Sequence, residues 1–172
     1  MLHIINNPKQ LDYGTLTKYQ QKDYEGQLKA LPVLKNLFKN CSDLIIEHHI
    51  LDNGRIDIFV TATTNSNVVH KYAIECKHRD FSSTTYDSIM LNPDKWGWLI
   101  AYSKLGYKPL FFNTFTDNTY MIWDVRGEWD VAEVTVPVST VDKSKGKTVE
   151  PRFYLPNNKA IAKGQLVSVE DE

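Results

Sequence analysis

The chain has 172 residues, 42% of them hydrophobic, and its 20 basic and 21 acidic side chains give a formal net charge of −1. This length predicts a single domain with a sizeable core. The balanced charge argues against a protein that coats DNA and is neutral for an enzyme that contacts it briefly. Two cysteines are too few for a disulfide framework. With no signal-like segment and no apolar run of about 18 residues, we expect no membrane association and a cytoplasmic location.

A helix is predicted over residues 15–40, where apolar side chains recur at spacings of three and four. Pro32 lies inside this segment, so the region is either one kinked helix or two successive helices. The apolar residues form one stripe, which consists of Tyr24, Leu28, Leu31, Leu34 and Phe38.

Three strands are predicted next, in the segments DLIIEHHI (43–50), RIDIFV (55–60) and VVHKYAIECK (68–77). Asp-Asn-Gly between the first two is typical of a short hairpin, because Asn and Gly accept positive φ at low cost. The polar segment TATTNSN (61–67) is predicted to be the turn between the second and third strands.

A second helix is predicted in the segment NPDKWGWLIAYSKLG. Asn92 suits the cap, Pro93 suits the first helical position, and Gly106 suits the end. Two strands follow in KPLFFNTF and TYMIWDV, and a further pair is predicted in VAEVTVPV and VEPRFYLP.

The predicted fold class is therefore α/β, with a mixed sheet flanked by helices in one domain. Residues 1–130 form its core, in the order helix, three strands, helix, two strands. Residues 131–172 are predicted to add a β-hairpin to the same domain and to end in a frayed tail of about a dozen residues.

Charged side chains on the second and third strands indicate a site. Because side chains alternate along a strand, Glu75 and Lys77 share one face of the third strand. Asp57 interrupts an apolar run on the second strand, where an unpaired carboxylate is unfavourable. If the connecting turn centres on Ser66, Asp57 lies opposite Glu75. If it centres on Asn65, the two acids are diagonal neighbours.

Two carboxylates this close repel each other unless positive charge lies between them. A hard divalent cation with oxygen ligands, Mg²⁺ or Mn²⁺, suits such a pair. Lys77 would then hold or activate a water molecule, or balance charge on a phosphorus atom. The alternative is a cross-strand cluster of salt bridges on a solvated sheet face. Cys76-x-His78 does not indicate zinc, because no second Cys or His pair completes four ligands.

A helix, three strands, an acid on the second strand and an acid-x-lysine triplet on the third together resemble the PD-(D/E)xK nuclease superfamily. The resemblance covers about residues 15–125. It implies a restriction-endonuclease-like αβββαβ core and matches Asp57, Glu75 and Lys77 to the two acids and the lysine of the family motif. Ile56 replaces the proline that often precedes the first acid.

The same resemblance implies roles for the residues around the motif. Asp57, Glu75 and the backbone carbonyl of Cys76 would bind the metal ion. Catalysis would involve Asp57 and Glu75 together with Lys77 and a helical acid. Glu25 is the best match for that acid; it also forms an ordinary i,i+4 pair with a lysine, and Asp23 is the alternative.

Four residues are predicted to contact nucleic acid. Lys95 and Tyr86 belong to a segment that resembles phage and bacterial nucleases, which implies phosphate contacts for them. His78 and Arg79 follow the motif lysine and are expected to line a phosphate groove; the alternative is that they are merely exposed. The predicted function is that of a Mg²⁺- or Mn²⁺-dependent nuclease acting on nucleic acid, DNA in preference to RNA. A homodimer is compatible with this prediction. The alternative is a non-catalytic nucleic-acid-binding or interaction protein on the same fold with a degenerate site.

Overall fold

The computed structural model describes residues 1–6, 18–48, 55–137 and 146–166. These residues contain two α-helices and ten strands. Neither helix is long and apolar enough to cross a membrane. In chain order the elements are β1 (Leu2–Asn6), α1 (Lys18–Leu37), β2 (Asp43–His48), β3 (Ile58–Thr63), β4 (Val69–His78), β5 (Ser88–Leu91), α2 (Pro93–Lys104), β6 (Lys108–Thr114), β7 (Thr119–Asp124), β8 (Asp130–Pro137), β9 (Lys147–Pro156), a short 3₁₀ helix (Asn157–Lys159) and β10 (Ala162–Gln165).

Seven of these strands form a mixed sheet in the order β1-β2-β3-β4-β6-β7-β10. The pairs β2–β3 and β3–β4 are antiparallel, whereas β4 and β6 are parallel. Parallel neighbours need a crossover connection, and α2 lies in it. The succession α1, β2, β3, β4, α2, β6 follows the predicted order of helices and strands, with β5 added before α2.

The two faces of this sheet carry separate apolar cores, one beneath each helix. On one face, Leu34 of α1 packs in a buried cluster with Ile74 of β4. On the other, Leu99 of α2 packs in a second cluster with Ala73 of the same strand. Because consecutive strand residues point to opposite faces, α1 and α2 cover opposite sides of the sheet. The protein is thus a single α/β domain with a mixed sheet between two helices.

Helix α1 turns most of the predicted apolar stripe to the core, with one exception. The helix continues through Pro32 as one element. Leu34 is buried as expected, but Leu28 is 41% exposed, whereas Gln27 is 5% exposed and Ala30 is fully buried. The predicted stripe is therefore wrong at Leu28. Small and polar side chains occupy the part of α1 that lies closest to the sheet.

This close approach is visible at Gly26, which lies against the end of β4. A Cβ atom on Gly26 would stand 3.0 Å from the backbone nitrogen of His78, whereas one on Gly97 of α2 would meet nothing within 4 Å. The absence of a side chain at Gly26 therefore sets how near α1 comes to the strand that carries Glu75 and Lys77.

We expect Gly26→Ala to destabilise the protein and Gly97→Ala to stabilise it. Alanine favours a helix over glycine by about 0.5–1 kcal/mol at either position. At Gly26 that gain is outweighed by overpacking against sheet backbone, which typically costs about 1–3 kcal/mol. Urea unfolding of the two variants measures the difference, and equal stabilisation by both would contradict the close contact.

Strand β3 begins and ends three residues later than predicted. Asp57 therefore lies directly before the strand and not in its middle. Ala62 and Thr63, expected in a turn, extend the strand because Ala62 is buried beneath α1 and Thr63 pairs with Asp43 of β2. The predicted Asp-Asn-Gly turn, residues 52–54, lies outside the described residues, as does the predicted start of α1 at Thr15.

The C-terminal part is more closely integrated than predicted. Strands β8 and β9 pair as expected and join β5 in a three-stranded sheet. Leu155 of β9 is fully buried in the core beneath α2. The expectation of a frayed tail is wrong for Ala162–Gln165, because β10 pairs with β7 in the main sheet. Residues beyond 130 thus contribute to both the sheet and the core.

Helix α2 begins and ends as its sequence predicts. Asn92 Oδ1 accepts a hydrogen bond from the backbone nitrogen of Asp94 at 2.9 Å, with Pro93 in the first turn. Gly106 has φ of +87°, a conformation that favours glycine, just after the helix. The cap fixes the first turn of α2, which carries Lys95.

Candidate functional site

The two predicted acids lie at the point where β3 and β4 cease to pair. The last pair is Ile58 with Ile74, which centres the connecting turn on Ser66. Asp57 directly precedes Ile58, and Glu75 directly follows Ile74. The charge of Asp57 contributes to raising the pKa of Glu75, so the two carboxylates interact electrostatically.

Both carboxylate oxygens of Asp57 accept hydrogen bonds from the protein. Oδ2 accepts from the backbone nitrogen of Cys76 at 2.8 Å, and Oδ1 accepts from Gln27 Nε2 at 2.9 Å. The Asp57 carboxylate thus satisfies a backbone N–H of β4 at a position where β3 no longer pairs with it. These two bonds fix the orientation of the Asp57 carboxylate.

Glu75 is buried, at 6% exposure, and is held by a lysine from α2. Lys95 Nζ lies 2.8 Å from Oε1 and 2.9 Å from Oε2 of Glu75. Burial, assisted by the charge of Asp57, raises the pKa of Glu75 to about 8, while Lys95 and Lys77 oppose the rise. The charged form of this side chain is therefore unfavourable unless more positive charge is close to it.

A cleft of about 240 Å³ opens beside Glu75. It contains three basic side chains and one acidic one, so an anionic group is favoured inside it. Its volume is below that of typical small-molecule pockets, about 300–1,000 Å³, and suits a phosphodiester group better than a larger ligand. Its lining consists of Glu75, Lys77, Arg79, Met90, Leu91, Asn92, Lys95 and Phe111.

Arg79 is built into the wall of this cleft. Its Nε donates to Asn113 Oδ1 at 2.6 Å and its Nη2 donates to the backbone oxygen of Met90 at 2.7 Å. Its guanidinium also lies over the ring of Phe111, 5.7 Å from the centroid. Burial lowers the pKa of Arg79 to about 10, which leaves it charged at neutral pH. Arg79 therefore supplies fixed positive charge to the cleft.

The other residues of the motif region divide between the two faces of β4. Lys77 lines the cleft with Glu75. Cys76 points the opposite way into the core beneath α1, where burial raises the pKa of its thiol. His78 lies on that same side, against Gly26, and its Nδ1 is 2.9 Å from Thr114 Oγ1. His78 is therefore not among the residues that line the cleft.

Two more predicted residues lie at the surface. Tyr86 is 57% exposed, and its ring meets the edge of Phe81 with centroids 4.9 Å apart, outside the lining of the cleft. Glu25 is exposed on α1, as its sequence spacing with Lys29 also allows. The side chain of Asp23 lies outside the part of the chain that the structure describes. It is Gln27, two residues after Glu25, that reaches Asp57.

Sequence reasoning gave no role to Gln27 or His48, which are both buried near Asp57. A signal for each was present. Gln27 is spaced three residues before Ala30, on the buried side of α1. His48 continues the alternation of Leu44 and Ile46, so it belongs to the inward-facing set of β2.

The residues around Asp57 offer a donor set that fits Mg²⁺ or Mn²⁺. Among the described residues, no three His, Cys, Asp or Glu side chains come together as a metal site. However, Mg²⁺ is usually bound by one or two carboxylates and retains several water molecules. Asp57 and Glu75 supply two carboxylates, and the Cys76 carbonyl would add a third oxygen. Lys95 contacts both oxygens of Glu75, the side chain that would share the ion.

The site therefore combines a pair of interacting carboxylates with a small, positively charged cleft. Such a combination suits the binding of a divalent cation next to a phosphate group. Comparison of the chain with protein-family models, with curated proteins and with solved structures finds no match.

Proposed function

We propose that the protein is a metal-dependent nuclease that hydrolyses phosphodiester bonds in nucleic acid, with DNA as the favoured substrate. The observation that carries this proposal is the electrostatic interaction of Asp57 and Glu75 just beyond the last β3–β4 pair, with Glu75 and Lys77 lining a cleft. The resemblance of the motif and of the element order to PD-(D/E)xK nucleases supports the proposal as a fold-level analogy.

In this proposal each residue has a stated task. Asp57, Glu75 and the Cys76 carbonyl would hold Mg²⁺ or Mn²⁺. When bound, such an ion supplies Lewis acidity toward the phosphate and lowers the pKa of water. Lys77 orients the attacking water or balances the negative charge that develops on the phosphate.

The basic side chains of the cleft favour the substrate over other ligands. Arg79 provides a fixed charge that its own hydrogen bonds hold in place. Lys95 contacts Glu75 and also lines the cleft, where an entering phosphate would meet it. Together they attract one phosphodiester group to the side of the sheet on which Glu75 and Lys77 lie.

The second candidate function is binding of nucleic acid without hydrolysis. One observation favours it: Lys95 already pairs with both oxygens of Glu75, and Asp57 lies across the hairpin and not in the lining of the cleft. In that case the acids form a closed ionic cluster, and the basic side chains alone contact phosphate.

Incubation with supercoiled plasmid, single-stranded DNA and single-stranded RNA distinguishes the two functions. Each substrate is tested with Mg²⁺, with Mn²⁺ and with EDTA. We expect cleavage that requires the metal ion and that stops in EDTA. Retention of nucleic acid on the protein without cleavage in any metal would favour the second function. Neither binding nor cleavage would leave only a structural role for the charged cluster.

A further inference from the structure

A buried chain of hydrogen bonds leads from β2 through α1 to Asp57. His48 Nε2 lies 2.7 Å from Gln27 Oε1, and Gln27 Nε2 donates to Asp57 Oδ1 at 2.9 Å. His48 is 1% exposed and Gln27 is 5% exposed. Polar groups at this depth are unfavourable unless they are hydrogen-bonded, and apolar residues of the same size would cover the sheet without that requirement. The chain of bonds therefore needs a reason beyond packing.

The chemistry of the three groups fixes the direction of every bond. An ionised carboxylate only accepts, so Gln27 must turn its NH₂ group toward Asp57. Its amide oxygen then faces His48 and can only accept. His48 must therefore carry a proton on Nε2, which sets the state of the imidazole at this position.

Neighbouring contacts hold the same groups in place. The ring of Tyr24, one helical turn before Gln27, lies parallel to the His48 ring, with centroids 6.3 Å apart. The backbone nitrogen of Cys76 binds the other oxygen of Asp57. The carboxylate of Asp57 is thus held at both oxygens.

We propose that Gln27 and His48 are positioning residues that orient Asp57 for a divalent cation. The inference rests on the proposed function, because it assigns the hydrogen-bonded chain a purpose only if Asp57 binds a metal ion. Hydrogen bonds to ligand carboxylates tune metal affinity, and their removal typically costs about 10–100-fold in affinity or activity. If Gln27 and His48 served only in packing, loss of their hydrogen bonds would leave the affinity for the metal ion unchanged.

The first part of the test needs no metal. In ¹⁵N-resolved NMR of the imidazole groups, we expect His48 to carry a proton on Nε2 in the wild type. Gln27→Met has a similar size but no amide, so it should remove the hydrogen bond of this N–H and shift the Nε2 resonance. A wild-type His48 protonated only on Nδ1, or an unchanged Nε2 resonance in Gln27→Met, would overturn the proposed chain of bonds.

The second part measures Mn²⁺ binding by calorimetry. We expect Gln27→Met to weaken binding by about 10–100-fold. His48→Gln, which retains an N–H donor, should lose less affinity than His48→Leu. Gln165→Met, a change at an exposed glutamine of β10, is the matched control and should bind as the wild type does.

The outcomes separate this inference from the proposed function. If the wild type binds Mn²⁺ and Gln27→Met binds it equally well, the positioning role is wrong and the function stands. If the wild type binds none although His48 is protonated on Nε2, the proposed function fails, and the positioning role fails with it.

A further variant covers the case in which Gln27→Met does not fold. Gln27→Asn keeps the amide but shortens the side chain by one methylene, so the amide should no longer reach Asp57. Mn²⁺ should then raise the melting temperature by less than it does in the wild type. Equal shifts in the two proteins would overturn the inference.

Discussion

Lys77→Ala is expected to fold, to bind Mn²⁺ and yet to cleave DNA roughly 100-fold or more slowly than the wild type. Lys77 lines the cleft on the same strand face as Glu75. A side chain that positions water or meets developing charge contributes typically about 10²–10⁴-fold to a rate. Initial rates of plasmid cleavage at saturating Mg²⁺ or Mn²⁺ measure the effect.

Lys71→Ala provides the matched control. Lys71 is an exposed lysine on the same face of β4, six positions earlier, or about 20 Å away by strand rise. Its ammonium lies 5.8 Å from the centroid of Tyr107, far from the cleft. The Lys71→Ala variant should therefore cleave plasmid at the wild-type rate. Undiminished cleavage by Lys77→Ala would refute the role given to Lys77.

Glu75→Gln is expected to abolish metal-dependent cleavage and, at alkaline pH, to stabilise the protein. The pKa of Glu75 is about 8 in the folded protein, against an ordinary value of 4.5, because of burial and the nearby charge of Asp57. The folded state therefore holds this proton more tightly than the unfolded state does. The stability that results is fully present below about pH 4.5 and is lost as the pH rises through about 8.

This loss in the free energy of unfolding can reach about 5 kcal/mol, because each pH unit between the two pKa values corresponds to about 1.36 kcal/mol. Glutamine does not titrate, so Glu75→Gln should not lose this stability. Urea unfolding in EDTA at about pH 5 and about pH 8.5 compares the two proteins. Glu47→Gln, at an exposed position of β2, is the control and should keep the wild-type pH dependence. If the stability of Glu75→Gln and that of the wild type depend on pH in the same way, the pKa of Glu75 is not raised in the folded protein.

Local sequence signals predicted the elements that carry their own punctuation. Asn92, Pro93 and Gly106 mark both ends of α2 without reference to the rest of the fold. The alignment of β3 with β4 about Ser66 is one of the two registers that the sequence predicts, because a hairpin register depends only on the two strands involved. The same alternation separates His78 from Lys77, so its placement in the phosphate groove conflicted with a rule that the sequence already contained.

Features that depend on distant partners could not be predicted in this way. β5 and β10 are four residues long each and exist because β9 and β7 pair with them. The pairing of Lys95 with Glu75 depends on where α2 crosses the sheet. Gln27 was missed because the burial of a polar helix residue follows from its bond to Asp57, which lies 30 positions further along the chain.

The most direct test of the account is to measure Mn²⁺ binding by calorimetry, in the absence of nucleic acid, for the wild type and for Asp57→Asn. Asparagine keeps the shape of Asp57 but removes the charge that acts on Glu75. We predict that the wild type binds Mn²⁺ and that Asp57→Asn binds it at least about 10-fold more weakly, while its circular dichroism is unchanged. Equal Mn²⁺ binding by the two proteins, or none by the wild type, would contradict the claim that Asp57 and Glu75 jointly hold a divalent cation.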